Sequence, residues 1–487
     1  MDRSILKALY VILISLGIAF VFNFLFFDKL IGLSVFIFTA ILIGAVFLFG
    51  LRQQLNVRKA WWLISLILFF ALMPSIRANE FLTFLNICAA LGLLMLLAHE
   101  LTGTPTFLMR LRDYLILMTL IPLRMLRRAV STLALIGQFH SNVKNRDVWI
   151  RVLKGIILAV PILIIFGVLF SQADLAFSQF IKNFVDINIS ERTIQYLVLL
   201  LVAFVAALSF LSYIFFPKET EPKLAAKQSD TVAQPGKAIE MMVSLGLISA
   251  LFLIFIGFQI TYLFGGEANI IEAGFTYSEY ARRGFFELLA VAMLSLLVLL
   301  ASEKYAGVES KRDRRFLIPA LIVIVEVGVV MVSAFKRLSL YIDAYSMTSM
   351  RFYVAGFIIL LLMLFVLLAI KFIKSKPEQF FTFGTLLSVA AFLIAVNIVN
   401  PDAFIARSNM EQYNRTGKID VFHVGRLSPD AQTIKIEVYK KLEGENKVIL
   451  QELLQEQKDN LERNSTVWQS ANLSRAKAMK LLQEVGE

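Results

Sequence analysis

The sequence predicts an all-α fold: a polytopic transmembrane helix bundle of about eleven spans, N-terminus in and C-terminus out, followed by a small helical extramembrane tail. Three observations predict it. Of the 487 residues, 58% are hydrophobic and the mean hydropathy is +0.73. Apolar runs of roughly 17 to 25 residues, the length that crosses a bilayer as a helix, recur through the first 400 positions. Each run is continuous, so in lipid it must satisfy its own backbone hydrogen bonds, which a helix does and a lone strand does not.

In order, spans are expected at Ala8 to Phe27, Leu30 to Leu51, Ala60 to Ile76, Phe81 to His99, Gly155 to Phe170 and Ile194 to Phe216. A polar linker, 217–238, follows, rich in Lys, Glu, Gln, Ser and Pro, as flexible connections are. Five more spans are expected at Ile239 to Phe264, Phe285 to Ser302, Phe316 to Phe335, Tyr353 to Ile370 and Phe381 to Val399. The chain thus reads as a six-span half (1–216), the linker, a five-span half (239–400) and a tail (401–487). The short basic head before Ala8 resembles a signal peptide, but the run is long, lacks a small-residue cleavage site and leads after Asp28-Lys29 into the next span, so an uncleaved hairpin is expected.

Orientation follows from the basic residues. With the N-terminus inside, the inner segments carry 26 of the 48 Lys and Arg, the outer loops 9 and the tail 13. The net charge of +12 is therefore an orientation signal, and a nucleic-acid partner is not expected. Within 104–154 the apolar stretch from Tyr114 to Leu123 is too short to span. Arg124, Arg127 and Arg128 beside it share one helix face, which suits a helix at the inner headgroup layer or a basic loop on the cytoplasmic ends. In the tail, Ser428-Pro429-Asp430 reads as a helix start leading into Ala431 to Leu442, with further helices at Asn446 to Arg463 and Leu473 to Val485.

Several chemistries are missing. His99, His140 and His423 are far apart, Cys88 is the single cysteine, and no phosphate-binding loop or nucleophile elbow occurs. No metal and no cofactor is expected. Polar residues do gather on the predicted outer face of the second half. One loop carries Tyr277, Glu279, Tyr280, Arg282 and Glu287; a second carries Arg337, Tyr341, Asp343 and Arg351; a third, after the last span, carries Asp402 and Arg407. Arginine offers bidentate hydrogen bonds to carboxylate or phosphate and tyrosine an amphipathic wall, so an anionic headgroup or an envelope protein is a candidate partner here beside membrane lipid. The same residue types also serve as interfacial anchors and loop ties.

Three of these elements, Tyr277-x-x-Tyr280-Ala-Arg282-x-Gly284-Phe285, Arg337-Leu-x-Leu-Tyr341, and Asn400-Pro401-Asp402 with Ile405-Ala-Arg407-x-Asn409, resemble a family of bacterial polytopic membrane proteins known only as a domain of unknown function. Trp468-Gln-Ser with Asn472-Leu-Ser474-Arg475 is similar to the end of that family's pattern. The resemblance implies the bacterial cytoplasmic membrane and a many-span architecture, and it supplies no activity.

Glu326 stands apart, midway along the ninth span, where a carboxylate costs at least a few kcal/mol unless protonated or paired. A hydrogen bond to Asn86 or Asn397 is one expectation; a proton-coupled site is the other. Three functions stay open: a non-enzymatic envelope sensor, regulator or assembly partner; an enzyme acting on an anionic or lipid-linked envelope substrate; and a proton-coupled transporter using Glu326.

Overall fold

Runs of Leu, Ile, Val and Phe that offer the backbone no polar competitor close helix after helix, and caps set their ends. The computed structural model describes residues 3–52, 60–103, 105–136, 191–216, 235–263, 285–306, 313–464 and 467–486, with scattered positions between 163 and 179. Among them are ten apolar helices: α1 (Arg3–Phe26), α2 (Leu33–Arg52), α3 (Trp61–Ile76), α4 (Glu80–Leu101), then, after the amphipathic α5 (Leu111–Ile136), α6 (Glu191–Phe215), α7 (Pro235–Leu263), α8 (Phe285–Ala306), α9 (Arg314–Tyr345), α10 (Ser349–Ile373) and α11 (Glu378–Val399). Nine are long and apolar enough to cross a membrane; α3, at 16 residues, is shorter. This is a multi-pass membrane protein. Of the eleven expected spans, ten coincide with these helices, and the one at Gly155 to Phe170 falls almost entirely outside the described residues.

Two apolar cores hold the bundle. The first is built by α1 to α6 and includes Leu63, Ile67, Leu97, Leu117 and Leu211; the second is built by α7 to α10 and includes Leu245, Ala292, Val327 and Leu361. Helix α11 serves both, giving Ala390 and Leu393 to the first core and Phe381 to the second.

Two expectations are corrected by packing. The ninth span does not stop at Phe335: α9 runs 32 residues to Tyr345, because Leu338 and Ile342 continue its packed face beyond Lys336 and Arg337. Residues 333–345 are therefore helix rather than loop. In α5 the three arginines do not share one environment. Arg127 is exposed and Arg124 half-buried, while Arg128 is buried, donating to the backbone oxygens of Tyr213 and Phe216 at 3.0 and 3.1 Å and lying over the Tyr213 ring.

The tail forms α12 (Pro401–Thr416), α13 (Val421–Arg426), α14 (Gln432–Lys441), α15 (Gly444–Asn464) and α16 (Leu473–Gly486). Ile405, Val438, Leu450 and Leu482 are in its core, and Met347, from the α9–α10 turn, joins them. The last three helices match expectation within a few residues; α12 and α13 were not anticipated.

Candidate functional site

The turn between α3 and α4 organises the tail end of the bundle. Helix α3 stops at Ile76 because Arg77 is extended (φ −101°, ψ 139°), and Asn79 caps α4, accepting from Leu82 N at 2.8 Å. That geometry leaves the N–H groups of Ala78 and Asn79, and carbonyls at the end of α3, without intrahelical partners. The tail supplies them. Asp430 accepts from Ala78 N at 3.0 Å and Asn79 N at 2.9 Å. Asn472 Nδ2 donates to the carbonyls of Pro74 and Arg77, both at 2.8 Å, and Ser474 Oγ to that of Ile76 at 2.9 Å. Asp402, in the first turn of α12 and buried, accepts from Asn79 Nδ2 at 2.9 Å and Ser428 N at 3.0 Å.

The same turn reaches the far end of α11. Arg77 Nε donates to Asn397 O at 2.8 Å, capping that helix's carbonyls, and Asn86 and Asn397 exchange amide hydrogen bonds of 2.9 and 2.8 Å. Asn400 then turns the chain in a left-handed conformation (φ 58°) and caps α12, with Pro401 at the first helical position. A second contact ties the tail to the α1–α2 turn, where Leu33 N donates to Ala471 O at 3.0 Å. Gly32 is required there, since a Cβ would sit 2.6 Å from Ala471 O.

Between tail and bundle lies a groove of about 2060 Å³. Its lower wall is mostly apolar, from α4, α10 and α11; its upper wall, from α13, α15 and α16, is mixed, with Arg426, Glu456 and Arg475 set among Leu453, Leu473 and Met479. His423 lines it; burial lowers its pKa, partly offset by Asp420 and Asp402 and reinforced by Arg351, so the imidazole is neutral at pH 7. Lys435 lies beneath the upper wall, fully buried, donating to the carbonyls of Gly425 and Leu427 and to Gln457 Oε1; burial brings its pKa down to about 7.

Asp402 and Asp430 are engaged by amide donors, and among the described residues no cluster of His, Cys, Asp or Glu is able to hold a metal.

Residues 63–437 match the model of a family described as "Domain of unknown function (DUF4153)", which covers more than half of the chain. The chain belongs to that family. No curated protein and no solved structure matches it. The DUF4153 region takes in Asn79, Asp402, His423 and Asp430, whereas Asn472 and Ser474 lie beyond it.

Within the DUF4153 region the residues singled out from sequence go to different places. Tyr277, Tyr280 and Arg282, with Glu279, lie outside the described residues. Arg337 is buried between α7 and α9, donating to Gln259 Oε1 at 3.1 Å, the same oxygen that accepts from Ser333 Oγ at 2.6 Å. Arg351 and Tyr341 do meet: the guanidinium stacks 4.0 Å from the ring centroid and donates to the Tyr345 and Ser346 carbonyls at the end of α9. Arg407, Glu287 and Asp343 are exposed. Glu326 is buried and accepts from Ser249 Oγ at 2.7 Å; Asn86 and Asn397, its expected partners, are paired with each other instead, because α7 and not α4 or α11 packs along that face of α9.

Sequence reading missed Asn79 and Asp430 as functional positions. The available signal was capping grammar: Asn79 before Glu80 marks a helix start, but nothing local shows that a carboxylate some 350 residues away is needed there.

Proposed function

We propose that this DUF4153 protein is a non-enzymatic component of the bacterial cell envelope, a sensor, regulator or assembly partner, in which the tail is mechanically coupled to both halves of the membrane bundle. It sits in the cytoplasmic membrane with eleven spans, N-terminus in and tail out. The observation that carries the reading is the clamp on the α3–α4 turn: Asp430, Asp402, Asn472 and Ser474 hold it from the tail while Arg77 holds α11 from the turn. A tail needed only as a tethered domain would not require that set of hydrogen bonds; one that follows shifts between the halves would.

The orientation is supported by the basic residues of the inner segments. The span count is supported by connectivity. The end of α4 meets the end of α6, with His99 Nδ1 3.1 Å from the Tyr213 hydroxyl, whereas Arg192 at the start of α6 pairs with Asp28 in the α1–α2 turn at 2.7 Å. The chain from α4 to α6 thus joins opposite ends, which needs an odd number of crossings and accommodates the span expected at Gly155 to Phe170.

The test is a double substitution, Asp430→Ala with Asn472→Ala, compared with gene deletion. At wild-type abundance, and with release of the tail confirmed by protease accessibility, the variant should reproduce the deletion phenotype; full function with a released tail would overturn the coupling role. In a Cys88→Ser background, an impermeant maleimide should label a cysteine at Glu456 and spare one at Lys374.

A further inference from the structure

The groove between tail and bundle has a shape and a polarity gradient that select one class of occupant. We propose that it binds a single diacyl phospholipid with a zwitterionic headgroup, drawn from the leaflet on the tail side.

Size is the first argument. At about 2060 Å³ the groove is roughly twice the upper end of ordinary small-molecule pockets, about 1,000 Å³. Its depth is the second. The groove is lined along α10 from Ser349 to Leu360, a rise of about 16 Å at ~1.5 Å per residue. On α11 it reaches Val389, a similar distance below Asn400. Half of a hydrocarbon core of about 30 Å is ~15 Å, so the apolar wall is as deep as one leaflet. A water-soluble ligand would leave that wall unused, and an acyl chain fits it.

Polarity is the third argument. At the top of the apolar wall stands Tyr353, its ring edge-on to Phe81 at 4.7 Å and its hydroxyl near Asn79, an amphipathic residue where chain meets headgroup. Above it the lining carries Arg426 and Arg475 together with Glu80 and Glu456. Charges of both signs complement a phosphate next to an ammonium better than a purely anionic headgroup, which would meet the two glutamates.

Entry from the side is open as well. Phe81 and Met350, both on the lining, are 50% and 63% exposed, so the wall is continuous with the lipid-facing surface.

The experiment is native mass spectrometry of the full chain, reconstituted in vesicles containing equal amounts of phosphatidylethanolamine and phosphatidylglycerol and re-extracted in detergent. One phosphatidylethanolamine per chain should remain on the wild type. Met350→Trp and Val389→Trp each fill the groove from positions exposed enough to tolerate a larger ring, and should lose it; Val366→Trp, on α10 but outside the groove, should keep it. Arg426→Ala should lose the headgroup preference. A wild type that retains no lipid, or groove variants that retain it as the wild type does, would overturn the site; equal retention of phosphatidylglycerol by the wild type would overturn the headgroup assignment.

Discussion

The two halves of the bundle handle buried charge differently. In the first, cations point at helix ends: the buried Arg128 at the last carbonyls of α6 and the half-buried Arg77 at those of α11. Those carbonyls lack intrahelical donors and carry the negative end of the helix dipole, so they attract the cation directly. In the second half, charge meets side chains inside the packed helices. Lys371 on α10 is paired with Glu303 on α8, both almost fully buried, and Glu326 on α9 meets Ser249 on α7. An interaction with a backbone carbonyl is lost only with the cation itself. A side-chain pair can be broken from either side, leaving a buried charge uncompensated.

The largest effect should therefore come from Lys371→Met, which takes the cation from Glu303 and should cost about 3–5 kcal/mol, read as a fall in the thermal midpoint of the detergent-solubilised protein. Adding Glu303→Gln should restore most of it; a neutral single variant would erase the contrast between the halves. Arg128→Met should cost about 1.5–3 kcal/mol, the range for hydrogen bonds to a charged donor. The tail follows the first half's pattern, since Lys435 also sits on carbonyls. Because its pKa falls from 10.5 to about 7 on folding, the unfolded chain binds more protons between those values. Tail stability should then rise as pH is raised above 7, by at most about 1.4 kcal/mol per unit, and hydrogen exchange in α14 should slow accordingly; Lys435→Met should flatten that dependence. Smallest of all should be Glu326→Gln, which keeps the shape and the Ser249 hydrogen bond and should shift stability by less than about 1 kcal/mol. A large loss of function from Glu326→Gln at normal stability would instead mark a proton site.

Much of the fold was legible because a span is a local property. Phe81 to His99 needs no knowledge of its neighbours to be recognised, and the same holds for Tyr353 to Ile370. Ser428-Pro429-Asp430 likewise announced a helix start, and Ser428 caps the short 3-10 turn, Pro429–Ala431, that leads into α14. Asn400-Pro401-Asp402 carried the same grammar, with Gly417 as the matching left-handed stop, but its polar residues drew attention as a binding element and α12 went unread. The candidate site was less legible. Asp402 and Arg351 were noticed by residue type, yet their partners, Asn79 and the carbonyls ending α9, could not be inferred from type.

By itself the sequence determined that the chain is helical, crosses a membrane repeatedly and ends in amphipathic helices. These follow from length, hydropathy and caps, all read within some twenty residues. The tertiary structure alone decided that Asp430 serves the α3–α4 turn, that Asn86 pairs with Asn397, that Arg337 turns into the bundle, and that a groove opens between tail and bundle. A buried polar group must find its partner through space, and in a bundle of many helices that partner is set by which helices adjoin.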